Sequence, residues 1–152
     1  MIEIFKTNYE DDLISLFQNN SELNKYKEIV IFGEFIGENS FAGRHEDEPH
    51  DIIFFDILCG HRQRKFLKPQ DFIRTISDIV PVPKIVYEGA LTDEFINYVR
   101  QNKFSLKEGV ICKGIETNGA FVGNTWMCKI KTNDYIQKLK NLFGEEWAKY
   151  GE

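Results

Sequence analysis

Nowhere in its 152 residues does the chain carry an apolar run close to the roughly 20 residues that a membrane-crossing helix needs. The first stretch, MIEIFKTNYEDD, lacks the basic-then-apolar order of a secretory leader. Together these absences predict a cytoplasmic protein with no membrane partner. Cysteine is scarce: Cys59, Cys112 and Cys128 are odd in number, fall in no CxxC pattern, and each sits within or at the end of an apolar β-like run. That placement predicts buried, reduced thiols acting as small hydrophobes, with zinc or a disulfide the minor alternative. Repeats, low-complexity tracts and linkers are all missing, so one domain over residues 1–152 is expected. A glycine-rich turn between a strand and a helix is missing too. FGEFIG has two glycines but lies inside a strand-like run, which argues against a doubly wound nucleotide fold.

Positive charge is also in short supply. Nineteen Lys and Arg face 24 Asp and Glu, for a net charge of −5, which argues against a non-specific nucleic-acid binder. The imbalance is uneven, however. Residues 1–50 hold 4 basic and 11 acidic side chains, whereas residues 101–152 hold 8 and 6. A local cationic groove in the C-terminal third is therefore compatible with the overall acidity.

What is present is globular: 42% hydrophobic residues, including 13 Phe. Residues 8–20 predict a helix with Leu13, Ile14, Leu16 and Phe17 on one face and Asp11 and Asp12 at its start. The first 30 residues read as one helix plus a strand. EIVIFGEFI (28–36) and DIIFFDILC (51–59) are β-branched and aromatic, hence strands, with a polar loop between them. Pro69 opens a helix whose Phe72, Ile73, Ile76 and Ile79 face inward. VPVPKIVYEG is a short extended piece. Thr92 caps a further helix with Asp93 and Glu94 in its first turn and Leu91, Phe95, Ile96 and Val99 as its buried face. KEGVICKGIETNGAFVGNTWMCKIKT (107–132) supplies two or three strands, and NDYIQKLKNLFGEEWAKY closes the chain as a helix with Ile136, Leu139, Leu142, Phe143 and Trp147 on one side. Helices do not alternate one-to-one with strands, so the fold class is α+β, mainly antiparallel sheet with flanking helices.

Several polar groups interrupt these apolar strands: Glu34, Asp56, Glu108 and Lys113, and the pair Lys129 and Lys131. Lys129 and Lys131 share a strand face, where two ammonium groups repel unless an anion, such as a polyphosphate, lies between them. Glu108 and Lys113 have odd spacing and face oppositely unless a bulge near Gly109 joins them. A carboxylate beside phosphate-binding lysines is a way to hold Mg²⁺ on a nucleotide. Each signal has a plainer explanation: a solvated or blunted strand edge for the lysines, a turn for Glu108, and core for Phe54 and Phe55. His45, His50 and His61, with Glu46, Asp47 and Glu48, read as solvated loop rather than a metal site. HRQRK (61–65) with Lys68 is the candidate for an RNA backbone, against a solvated β-turn as the plainer reading.

In order and spacing, IFGEFIG (31–37), DIIFFDIL (51–58), KEGVICKG (107–114) and MCKIKT (127–132) resemble motifs III, IIIa, IV and V of the covalent nucleotidyltransferase superfamily of ATP-dependent ligases and mRNA capping enzymes. The variants look most like the RNA-ligase branch typified by phage T4 RNA ligase 2. The resemblance implies an ATP-grasp-like nucleotidyltransferase fold, ATP and Mg²⁺ (or Mn²⁺) as cofactors, and a nucleotide and RNA ends as partners. It implies that Glu34 contacts the ribose region, that Phe55 stacks on adenine with Asp56 supporting the pocket, and that Glu108 helps bind the metal. Lys113 lines the phosphate site, while Lys129 and Lys131 neutralise the phosphates and assist attack on the α-phosphorus.

The same family attacks ATP with a lysine in Lys-x-(Asp/Asn/His)-Gly ahead of motif III. Lys6, Lys25 and Lys131 open KTNY, KYKE and KTND, none with that glycine, and no arginine precedes Arg44. The expectation is an N-terminally truncated adenylation domain. Three explanations stand open: a fragment of a longer ligase, half of a split enzyme whose lysine segment lies on a partner chain, or a non-catalytic module that binds nucleotide or RNA ends. A truncated sheet would expose edges, so a partner chain or a homodimer is expected.

Overall fold

The computed structural model describes residues 1–38, 49–62, 64–117 and 123–150. His45, Glu46, Asp47 and Glu48 lie outside the described residues, as does Gln63 of the basic run. The architecture is α+β, with small antiparallel sheets and flanking helices. The chain divides into two compact units, Met1–Lys84 with Gly114–Thr125, and Ile85–Lys113 with Trp126–Glu152. Among the described residues no helix is long and apolar enough to cross a membrane.

The first unit is built on a three-stranded sheet in the order β1 (Ile29–Ile36), β2 (Asp51–Cys59), β3 (Lys65–Phe66), antiparallel throughout. Two short helices, α1 (Ile2–Asn8) and α2 (Glu10–Asn19), precede it, and α3 (Pro69–Ile76) follows. The predicted strands over 28–36 and 51–59 are both present. The N-terminal segment differs from expectation, because two helices stand where one was predicted. Ile2 and Ile4 are poor helix formers at 0.7 kcal/mol or less per residue, roughly, and packing of Ile4 and Phe5 against the core supplies what propensity does not. That core gathers Tyr9, Leu13, Leu23, Ile52, Phe54, Ile57, Cys59, Phe72, Ile76 and Val80. Phe54 is its hub, with the Tyr9 ring edge-on at 5.2 Å and Phe5 at 6.3 Å. Ile14, expected on the buried face of α2, is exposed instead, because Leu13, Leu16 and Phe17 already cover the core.

A two-stranded ribbon pairs β4 (Gly109–Ile115) with β5 (Thr125–Lys131); the second unit holds Gly109–Lys113 and Trp126–Lys131 of it, together with α4 (Asp93–Arg100) and α5 (Asn133–Phe143). Thr92 caps α4 as predicted, its hydroxyl accepting from the Phe95 N–H at 3.2 Å. Phe95, Val99 and Ile130 form the core, with Ile96, Phe104, Leu106, Val110 and Cys112 against it. Leu91, expected on that buried face, is 42% exposed: it precedes the cap, where the chain is extended and outside helical periodicity. The closing helix is shorter than predicted. Gly144 takes φ +57°, ends α5, and a 3₁₀ turn carries Gly144–Tyr150. Leu139 is buried, while Leu142 and Phe143 are exposed.

Candidate functional site

A single irregularity organises the outer face of the first sheet. β1 and β2 pair Phe32 with Asp56 and Gly33 with Phe54, so the Cα register of the two strands skips Phe55, an extra residue in β2. On β1, Ile29, Ile31 and Phe35 point to the core, and on β2 Ile52, Phe54, Ile57 and Cys59 do so. The inward parity of β2 therefore switches across the bulge, as an inserted residue requires. Glu34, paired with Ile53, and Asp56, paired with Phe32, both belong to the other face. Phe55 joins them there: its ring lies 6.3 Å from that of Phe32, which in turn lies 5.9 Å from Phe66. Strict alternation would have separated Phe55 from Asp56. Bulge geometry puts the acid, the aromatic and the second acid on one surface. Asp56 is 6% exposed and Glu34 is open to solvent.

Gly33 makes the bulge possible. A Cβ there would lie 2.7 Å from Ile52 Cγ2 and 3.2 Å from Phe54 Cδ1, so the core side chains of β2 occupy the space a larger residue needs. The freed Phe54 N–H donates to the Pro81 carbonyl at 2.9 Å, which anchors the extended segment after α3. Phe32, absent from the sequence-derived site, is the missed member of this face. Its signal was present, because Phe32 and Glu34 are two apart on one strand.

On the ribbon, register fixes the faces. The Thr132 N–H donates to the Glu108 carbonyl and the Glu116 N–H to the Asn124 carbonyl, both at 2.8 Å. Eight residues forward on one strand match eight backward on the other, so the strands are antiparallel with no net slip between those pairs. Gly109 accordingly abuts Lys131 and Ile130, where a Cβ would come within 2.1 Å of the Ile130 carbonyl oxygen. Lys113, Lys129 and Lys131 then share one face with Ile111 and Met127, which are 51% and 49% exposed. Val110 and Ile130 take the opposite face, toward the core of this unit. In such a ribbon Lys113 and Lys129 are diagonal neighbours, about 7–8 Å apart at Cα. Exposed alkyl side chains between ammonium groups make this a surface both cationic and apolar.

The Glu108 carboxylate does not turn to Lys113 but to Lys131, with Oε2 3.0 Å from Nζ. Both side chains are half-buried, which limits solvent screening of the pair. Lys131 also sits over the Tyr135 ring at 4.7 Å. Thr132, fully buried, fixes this corner: its N–H holds Glu108 and its hydroxyl caps α5 by accepting from the Tyr135 N–H at 3.2 Å. The repulsion expected between Lys129 and Lys131 is therefore relieved by an anion of the protein itself. Thr132 and Tyr135 escaped sequence reasoning, although a Thr directly before a helix is a recognisable cap.

The basic run of residues 61–65 is partly neutralised. Glu28 accepts from Arg64 Nη2 at 2.8 Å and lies 3.2 Å from His61 Nδ1. Hydrogen bonding from His61, joined by Arg64, holds its carboxyl below the usual carboxylate range. Lys65 belongs to β3. Among the described residues no group of three or more His, Cys, Asp and Glu side chains could hold a metal ion. Glu108, just ahead of β4, holds its carboxylate 3.0 Å from Lys131 Nζ, so a cation placed there would compete with that ammonium.

No curated protein and no solved structure matches this chain. A family model described as RNA ligase matches residues 4–131, a span from α1 to the last residue of β5 that contains Glu34, Phe55, Asp56, Glu108, Lys113, Lys129 and Lys131. With most of its length matched, the chain belongs to the RNA ligase family.

Proposed function

We propose that this chain is the nucleotide-handling part of an RNA-ligase-type nucleotidyltransferase of the T4 RNA ligase 2-like branch, acting in ATP-dependent adenylyl transfer during RNA end joining. The observation that carries the reading is the ribbon face, where Lys113, Lys129 and Lys131 line up with Glu108 at the base. Three cations on one strand-pair face suit a polyphosphate, whose charge is spread over several oxygens. Glu34, Phe55 and Asp56 supply an acid, a ring for stacking and a second acid, which suits a nucleoside. Mg²⁺ or Mn²⁺, when bound, neutralises phosphate charge, and Glu108 is the residue that would hold it. The chain's own lysines orient the phosphates and stabilise charge that develops on them. The attacking lysine is supplied by a separate Lys-x-Asp-Gly segment.

Calorimetric titration of the purified chain with ATP and Mg²⁺ tests this. Binding by the wild-type chain, abolished in the Lys129→Ala, Lys131→Ala double variant, is expected. Absence of binding, or binding indifferent to both substitutions, refutes it. Incubation with radiolabelled ATP should leave no covalent AMP on this chain alone; an adduct would show that one of its own lysines is the nucleophile. ATP binding with no transfer, even when the lysine segment is added, favours the non-catalytic nucleotide-binding alternative.

A further inference from the structure

The ribbon carries a second chemistry on the face turned away from its lysines. The register that sets Glu108 against Thr132 and Glu116 against Asn124 places Cys112 of β4 directly opposite Cys128 of β5, both pointing to the same side. Opposed residues in an antiparallel pair stand roughly 4.5–5.5 Å apart at Cα, inside the roughly 4.4–6.8 Å that a disulfide spans. Both thiols are free and half-buried, whereas Cys59 is only 2% exposed in the core of the other unit. The two thiols lie within hydrogen-bonding reach of each other.

We propose that Cys112 and Cys128 are a redox-active dithiol, oxidised within one chain to a cross-strand disulfide by a low-molecular-weight disulfide of the glutathione class. Burial and the neighbouring Cys128 push the Cys112 thiol up to about 11. Either member of the pair can begin the exchange. With Cys128 first, its thiolate attacks one sulfur of the oxidant, the oxidant's S–S bond breaks, and one small thiolate departs. The Cys112 sulfur, losing its proton to solvent, then attacks the Cys128 sulfur of the mixed disulfide, and the second small thiolate leaves. Two protein thiols are oxidised and one small disulfide is reduced to two thiols. The new bond ties the midpoints of β4 and β5.

Treatment of the native chain with oxidised glutathione, followed by denaturing alkylation and intact mass, tests this directly. The count of alkylatable thiols should fall from three to one, with the mass lowered by two hydrogens before alkylation. Peptide mapping should join the segments bearing Cys112 and Cys128 and leave Cys59 alkylated. The Cys128→Ser chain should lose no pair of thiols, and Cys112→Ser should stop at a glutathione adduct. Three thiols retained by the wild-type chain, a persistent glutathione adduct on it, a link through Cys59, or a disulfide between two chains would each overturn the proposal.

Discussion

Gly109→Ala is the sharpest test of the ribbon. The added Cβ would sit 2.1 Å from the Ile130 carbonyl oxygen, 2.8 Å from Lys131 Cα and 2.9 Å from the Ile130 carbonyl carbon. All three are backbone atoms, so no side chain can swing aside. Restoring an ordinary van der Waals distance of about 3.5 Å means moving the strands apart by more than an ångström. The Thr132-to-Glu108 hydrogen bond, now 2.8 Å, would then pass the range in which such bonds hold. Overpacking of this kind costs about 1–3 kcal/mol, and each lost backbone bond adds about 1 kcal/mol. The expected loss is thus about 2–4 kcal/mol, a large share of the ~5–15 kcal/mol that holds a domain folded. Urea unfolding followed by tryptophan fluorescence measures it, since Trp126 and Trp147 lie in this unit. Ile111→Ala on the same strand is the control: the side chain is half exposed, and a change within about 0.5 kcal/mol is expected. An unchanged midpoint for Gly109→Ala would refute the register from which the lysine face and the thiol pair were both deduced.

Other outcomes follow from named contacts. Gly33→Ala pushes on the Ile52 and Phe54 side chains, which can shift in part, so a loss of about 1–2 kcal/mol in urea unfolding is expected. Tyr9 donates its hydroxyl hydrogen to Asp51, and Tyr9→Phe should cost about 1–2 kcal/mol at neutral pH. Burial, with the Asp51 hydrogen bond, raises the Tyr9 hydroxyl from 10.0 to about 12, so the stabilisation is complete below pH 10 and disappears as pH climbs from there through about 12. Unfolding midpoints across that window should fall less steeply for Tyr9→Phe than for wild type, and parallel curves would refute the assignment. Glu108→Gln releases Lys131, so metal-free ATP should bind about fivefold more tightly, equivalent to ~1 kcal/mol of removed charge competition. With Mg²⁺ present the same variant should bind no better than wild type, and calorimetry with and without chelator separates the two.

Periodicity and capping made most elements legible from the sequence. Thr92, Pro69 and the alternating apolar runs marked α4, α3 and both long strands, because each signal is local. The departures arose where local patterns meet tertiary packing. α1 is a seven-residue helix stabilised by its contacts rather than its propensity, and Gly144 ended α5 although the apolar stripe continued. Site residues were legible as types and in order, but their grouping was not. Whether Phe55 and Asp56 share a face depends on a one-residue slip between strands, and no single strand's sequence states its partner's register. The union of Glu108 with Lys131 rather than Lys113 likewise depends on pairing between segments 23 residues apart.

Phe55 also bears on how this sheet tolerates length changes. Removing any ordinary strand residue flips every side chain beyond it and turns the core outward. Removal of Phe55 alone would do the reverse. Phe54 and Asp56 would become consecutive opposite Gly33 and Phe32, and Ile52, Phe54, Ile57 and Cys59 would fall into one unbroken alternation toward the core. The backbone of β2 is thus a regular strand with one residue spliced in. What the splice contributes is an aromatic ring on the face shared by Glu34 and Asp56, not the register of the fold.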